Sequence, residues 1–228
     1  MQRGKIARNV CSLVDAPSLG REEVVPPSAA EARALLAAAR GLRNEARWSV
    51  ALALGLRQGG ARLRWEDVDL ETGTLTVRRS MQRLVGKGLV FDEPKSRAGR
   101  RTIMLPNGLR DALNAHRAGQ LEKRLAAGTD WQDHGLLFAQ VNGRPIDPGS
   151  DWKSWKALLG RAELRDAHLH DARHTAATLL LQQGVPARVA MQILGHSQIS
   201  LTLGTYSHVV PELAQEAADR IDRALWAP

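Results

Sequence analysis

One stretch near the C-terminal end restricts the fold of this chain more than any other. From His168 it reads HLHDARHTAATLLLQQGVPARVAMQILGHSQISLTLGTYSHV. Apolar residues recur at helical spacing over 170–183, Gly184 stops that helix, and Pro186 starts another that ends before Gly195. The same stretch carries His-x-x-Arg (His170, Arg173), then Leu-Gly-His-Ser (Leu194 to Ser197), then Tyr206, the one tyrosine of the chain.

The rest of the chain reads as mostly helical around a small sheet. Residues 1–27 hold three prolines in the stretch PSLGREEVVPP, which argues against a compact helix there. They are expected to be a leader or linker left from an absent N-terminal domain. The main domain is placed at 28–228. Ser28-Ala29-Ala30-Glu31 forms a capping box ahead of a helix reaching about Arg40. Asn44 is expected to cap a second helix over 45–56, with Trp48, Leu52 and Leu56 on one face and Arg57 at its end. Alternation in LTVRR, GLVFDE and RRTIMLP predicts a three-stranded antiparallel sheet with a basic loop at 94–101. A long helix is expected from Asn107 to about Ala127. A helix over 150–162 is expected to bury Trp152, Trp155, Leu158 and Leu159. After Pro211, residues 211–225 predict an amphipathic C-terminal helix. The fold class is therefore mainly α with a small antiparallel β-sheet, α+β.

Charge narrows the partner. With 32 Lys and Arg against 24 Asp and Glu, the net charge is +8 among 228 residues, and the pI is about 10.5. The excess is clustered: Arg78, Arg79, Arg83, Lys87, Lys95, Arg97, Arg100 and Arg101 lie between residues 78 and 101 beside only Asp92 and Glu93. That concentration favours a polyanion, and double-stranded DNA is the expected partner of Arg78, Arg79, Arg83, Lys87, Arg97, Arg100 and Arg101. Cys11 is the single cysteine, which fits a reducing cytoplasm. No apolar run reaches the length of a membrane helix, so no membrane partner is expected.

The polar residues assemble into a metal-free phosphoryl-transfer chemistry. A phosphodiester gains charge in its pentacoordinate transition state, so positioning and charge stabilisation dominate. Arginine donates two parallel bonds to phosphate oxygens and keeps its charge, which makes Arg57 and Arg173 the two clamps. Tyrosine is a nucleophile with an ordinary pKa of about 10, lowered by neighbouring cations or relieved by a base. His170 is the candidate base or phosphate donor, and His196 the second donor to the nonbridging oxygens. Lys95, in the Lys-Ser-Arg loop, is placed to protonate the departing 5′ oxygen; a plain backbone contact is the other reading of it. His170 and His174 also have the i, i+4 spacing of a zinc pair, but an arginine lies between them and the Glu of His-Glu-x-x-His is absent, so no metal is assigned. No phosphate loop, dinucleotide fingerprint or Gly-x-Ser-x-Gly elbow is present, and neither a cofactor nor a small-molecule substrate is expected.

The segments GLRQG…LRWEDVDL, LHDARHTAATLLLQQG and LGHSQISLTLGTYSHV, in this order, resemble the C-terminal catalytic domain of the tyrosine recombinase (phage integrase) family over about residues 28–225. The resemblance implies Arg57 as the first catalytic arginine, Lys95 as the hairpin lysine, His170 and Arg173 as the His-x-x-Arg pair, His196 as the third-box histidine and Tyr206 as the nucleophile. It further implies a transient 3′-phosphotyrosine, a free 5′ hydroxyl, strand exchange within a homo-tetramer on DNA, a role in site-specific recombination of a mobile element, and a cytoplasmic, nucleoid-associated place of action. Type IB topoisomerases share this chemistry, and the chain's short length and Leu-Gly-His-Ser box argue for a recombinase instead.

Two departures accompany the resemblance. The family pattern is similar to G-L-R-x-G-E-x-x-x-L-x-W, whereas Gly60 stands at the Glu position and the run to Trp65 is one residue short. Within a helix, such a loss would rotate all later residues by about 100°, and Gly60 would cost about 1 kcal/mol against Ala. Only about 27 residues precede the domain, so half of the DNA clamp is expected to be absent. Gly204 stands where an acidic residue is common. These features frame an alternative expectation, a truncated or decayed integrase that binds DNA without efficient strand cleavage.

Overall fold

The computed structural model describes residues 25–56, 63–78, 100–195 and 222–223, together with the backbone of two strands at 80–84 and 88–92. Among these residues the main elements run, in chain order, α1 (Ala29–Ala38), α2 (Glu45–Leu54), β1 (Val68–Asp69), β2 (Thr74–Val77), β3 (Ser80–Leu84), β4 (Gly88–Asp92), β5 (Arg101–Met104), α3 (Asn107–Ala127), α4 (Pro148–Arg161), α5 (Asp171–Gln182) and α6 (Ala187–Leu194).

Helix α2 is the central rod. Ala46, Val50 and Leu54 face a core shared with Leu75, Ile103, Leu109, Leu113 and Phe138. Trp48, Ala51 and Leu52 face a second core with Leu35, Trp155, Leu158 and Leu159. A helix buried on both sides needs no polar stripe, which explains why alanine and leucine fill it. α5 packs on α2 and against α6, where Ala176, Ala177, Leu181, Ala190 and Leu194 form a third, smaller core.

Several elements match their sequence signals. The Ser28–Glu31 capping box forms reciprocally: Glu31 N donates to Ser28 Oγ at 3.2 Å and Ser28 N to Glu31 Oε2 at 2.7 Å. Trp48, Leu52 and Leu56 are all buried. α3 spans the predicted residues, and Gly184 and Gly195 come after α5 and α6 in the left-handed conformation that favours glycine.

The sheet differs from expectation. Residues 75–77 and 101–104 pair as predicted, with Leu75 opposite Ile103, but the third strand of that sheet is β1, pairing Val68 with Leu75. Strand β4 instead pairs with β3 as a separate two-stranded hairpin. Two side-chain expectations also fail. Asn44 makes no cap bond; its Nδ2 donates to Ala139 O at 3.1 Å. Trp152 is 47% exposed because Asp151, Trp155, Leu158 and Leu159 define the buried face of α4, and Trp152 lies a helical step of about 100° from Asp151. Its ring instead receives Lys156 Nζ at 5.7 Å from the centroid. The C-terminal helix lies outside the described residues apart from helical 222–223.

Candidate active site

Helix α5 presents the two described site residues. Asp171 Oδ2 accepts from His168 N at 2.7 Å and so fixes the turn into α5. His170 occupies the N-cap position and is exposed. One turn inside, Arg173 is 3% exposed. The three-residue spacing places both on one face.

Arg173 is anchored by a backbone carbonyl. Its Nη1 donates to Gly55 O at 2.8 Å. Gly55 is the C-cap of α2, left-handed at φ 58° and ψ 30°. A Cβ there would lie 2.6 Å from Leu194 Cδ2, 3.1 Å from Ala176 Cβ and 3.4 Å from Arg173 Cγ. Glycine is therefore required twice, by the backbone angle and by the close approach of α5 and α6. Gly55 lies two residues before Arg57 in sequence. The bond to its carbonyl orients the Arg173 fork.

A second glycine cap lies alongside. Gly195, at φ 71°, ends α6, and His196 is the next residue. The carbonyls of the last turn of α6 are held by β5: Arg101 Nε donates to Ile193 O at 2.7 Å and Nη2 to Leu194 O at 3.0 Å. Arg101 belonged to the expected phosphate contacts; the structure engages its guanidinium with a helix end. Arg78 is exposed and lies 3.9 Å from Asp67, and Arg100 is exposed. The side chains of Arg57, Arg79, Arg83, Lys87, Lys95, Arg97, His196 and Tyr206 lie outside the described residues. The structure thus brings together His170, Arg173, the last residues before Arg57 and those before His196.

His174 lies one turn after His170, its ring 5.1 Å from the His170 ring and nearly perpendicular. Burial pushes its imidazole below the ordinary value, Arg173 adds to that, and Asp171 opposes it. Among the described residues, no group of three or more His, Cys, Asp or Glu comes together as a metal cage, and no helix is long and apolar enough to cross a membrane. Sequence reasoning passed over Gly55 and the helix-end role of Arg101. Glycine just past an apolar helix was a readable cap signal for the first; nothing local marked the second, since its partners are 92 and 93 residues away.

The segment after Arg57 bears on its own shortening. α2 ends at Leu54, before Arg57 rather than at it. Leu56 and Leu63, which flank residues 57–62, are both buried in one core, with Trp65 packed against it. Trp65 N donates to Gly135 O at 2.9 Å and Trp65 Nε1 to Gln120 Oε1 at 2.6 Å.

Comparison with known proteins decides the family. The Phage integrase family matches residues 28–212. This chain belongs to the phage integrase family. Among its relatives, an integrase of Saccharopolyspora erythraea is 35% identical over 277 residues, covering 99% of this chain and 63% of that protein. A XerC-like tyrosine recombinase of Caldanaerobacter subterraneus subsp. tengcongensis is 31% identical over 244 residues, covering 97% of this chain and 61% of that protein. The chain thus spans about three-fifths of the length of these relatives. The Tn1549 transposon integrase in complex with transposon right-end DNA shares the fold, with TM-score 0.73, 22% identity, 94% of this chain and 70% of that one. The catalytic domain of bacteriophage HP1 integrase superposes with TM-score 0.57 and 23% identity, covering 90% of this chain and 99% of that domain.

Proposed function

We propose that this integrase-family domain cleaves and rejoins double-stranded DNA at specific sites through a 3′-phosphotyrosine on Tyr206. The observation that carries the reading is Arg173, nearly buried on α5 and anchored on Gly55 O two residues ahead of Arg57, with exposed His170 one turn away. This geometry supplies an oriented positive charge and an accessible imidazole at one place, as a charged, pentacoordinate phosphorane requires.

In this mechanism Arg173 and Arg57 bond the nonbridging oxygens while His196 adds a third donor. Tyr206 Oη attacks phosphorus as His170 accepts its proton. The P–O5′ bond breaks, and Lys95 protonates the departing oxygen. Attack by a 5′ hydroxyl on the phosphotyrosine reverses the step and joins strands. No net oxidation and no high-energy cofactor are involved.

The names of the relatives, integrases and recombinases, and the DNA in the Tn1549 complexes support DNA as the partner. Within the basic segment, Arg78, Arg79, Arg83, Lys87, Arg97 and Arg100 are assigned to the phosphate backbone. A homo-tetramer on DNA, a leader or linker over residues 1–27 ahead of a catalytic domain over 28–228, and action in the cytoplasm at the nucleoid belong to the same proposal. The competing reading, an integrase relic that only binds DNA, rests on the shortened segment 57–62; the relatives do not favour it. Incubation with supercoiled plasmid tests the proposal. SDS-resistant adducts and relaxation are expected from the native chain and lost in Tyr206→Phe. Adducts seen only when Glu is restored at position 60 with one residue inserted would favour the relic. Binding to duplex DNA should weaken linearly in log–log salt; a flat dependence would count against DNA.

A further inference from the structure

We infer that Arg101 is a positioning residue: its guanidinium clamps the C-terminal end of α6 and thereby sets where the Leu-Gly-His-Ser box begins. This rests on the proposed strand-cleavage reading, because the box is given its catalytic meaning there.

Three observations meet at this point. First, Arg101 reaches from β5 to two successive carbonyls, Ile193 O at 2.7 Å and Leu194 O at 3.0 Å. These are among the last four carbonyls of α6, which have no intrahelical donor. A cation there also opposes the negative end of the helix dipole. Second, the clamped turn is packed: Leu194 is buried, and its Cδ2 fills the space that a Cβ on Gly55 would need. Third, β5 is itself fixed, with Arg101 opposite Val77 in the central sheet. Arg101 stands six residues after Lys95, and the carbonyls it holds stand two and three residues before His196. One side chain therefore joins the strand after the candidate lysine to the helix before the candidate histidine. A misplacement of about 1 Å at a reacting centre costs about 10²-fold in rate, so a two-point clamp beside His196 has catalytic leverage without touching DNA.

The test uses the 228-residue chain with Arg101→Gln, Arg101→Lys and, as a reference, Arg100→Gln, whose residue is exposed and next in sequence. Three readouts separate the roles. Amide exchange is followed in the peptide covering 187–195, affinity for a random-sequence duplex is titrated against salt, and adduct formation on supercoiled plasmid is timed at saturating protein. Arg101→Gln is expected to raise exchange in 187–195 by about tenfold or more. It should leave the log–log salt slope unchanged and slow adduct formation about 10- to 100-fold. Arg100→Gln should leave exchange in 187–195 unchanged and lower the slope by about 0.9 if Arg100 contacts one phosphate. If Arg101→Gln exchanges globally, Arg101→Lys, which keeps the cation and loses the fork, is read instead and should give the same local signature at smaller size. Unchanged exchange in 187–195 together with a reduced salt slope would overturn the inference and return Arg101 to the phosphate contacts. If the native chain forms no adduct while the exchange and slope results hold, the strand-cleavage reading fails and the clamp on α6 stands.

Discussion

Two arginines among the described residues are almost fully buried, and they are anchored on different groups. Arg47, on α2, is 1% exposed and meets Asp151 of α4 at 3.0 Å. Arg173, on α5, is 3% exposed and meets the carbonyl of Gly55 at 2.8 Å. Arg47 is held by a carboxylate across two helices; Arg173 is oriented by a backbone carbonyl at a helix end. Arg47 therefore reads as scaffolding that joins α2 to α4, and Arg173 as a side chain positioned next to the residues that lead into Arg57. Burial of an arginine does not identify a site by itself. The chemistry of its anchor, and the residues beside that anchor in sequence, separate the two.

The largest break in this comparison is expected from Arg173→Lys. A single ammonium cannot reproduce the bidentate fork, so strand cleavage should fall at least about 10²-fold while duplex affinity changes only a few-fold. Equal loss of both would remove Arg173 from the transition state. Arg47→Lys should leave cleavage per folded molecule unchanged. Stability should show the reverse order. Asp151→Asn strands a buried guanidinium and is expected to cost about 3–5 kcal/mol in urea unfolding, whereas Arg47→Met with Asp151→Leu should cost much less. If the double variant is as unstable as the single, the pair contributes more than desolvation allows.

A smaller effect is expected at Gly55. Gly55→Ala forces a methyl to 2.6 Å from Leu194 Cδ2 at a positive φ, which should cost about 1–3 kcal/mol. Gly41→Ala, at φ 77° with nothing within 4 Å, isolates the backbone contribution and should cost less. The smallest effect is a pH dependence. His116 is buried, bonds Leu137 O at 2.7 Å and is pushed below the ordinary histidine value chiefly by burial. Above about pH 6.5 both folded and unfolded forms are neutral at this residue. As pH falls below that, the unfolded chain takes up protons that the fold resists, so stability declines until His116 charges in the fold. His116→Gln should flatten the urea midpoint across that window; an unchanged slope would place the dependence elsewhere, with half-buried His174 the next candidate.

Local signals were the legible part of this fold. The Ser28 box, the glycines after α5 and α6, and the apolar spacing of α2 are set within a few residues, and each formed. Strand pairing was less legible, because β1 is two residues long and its place beside β2 depends on the core rather than on alternation. Trp152 misled because the buried face of α4 carries Asp151, which meets Arg47, 104 residues away. At the site, His170 and Arg173 announced themselves by spacing on one helix. The anchor on Gly55 and the Arg101 clamp are bonds between distant segments, with separations of 118 and 92–93 residues, and no local pattern encodes them.

The central claim is that the chemistry passes through Tyr206. The most direct measurement is to trap the protein on supercoiled plasmid with SDS, digest the complex with protease and identify the residue that carries DNA. The account predicts a 3′-phosphate joined to Tyr206 and a free 5′ hydroxyl that accepts label directly from a kinase. DNA attached to any other residue, a 5′ linkage, or cleavage that leaves no protein on either end would contradict it.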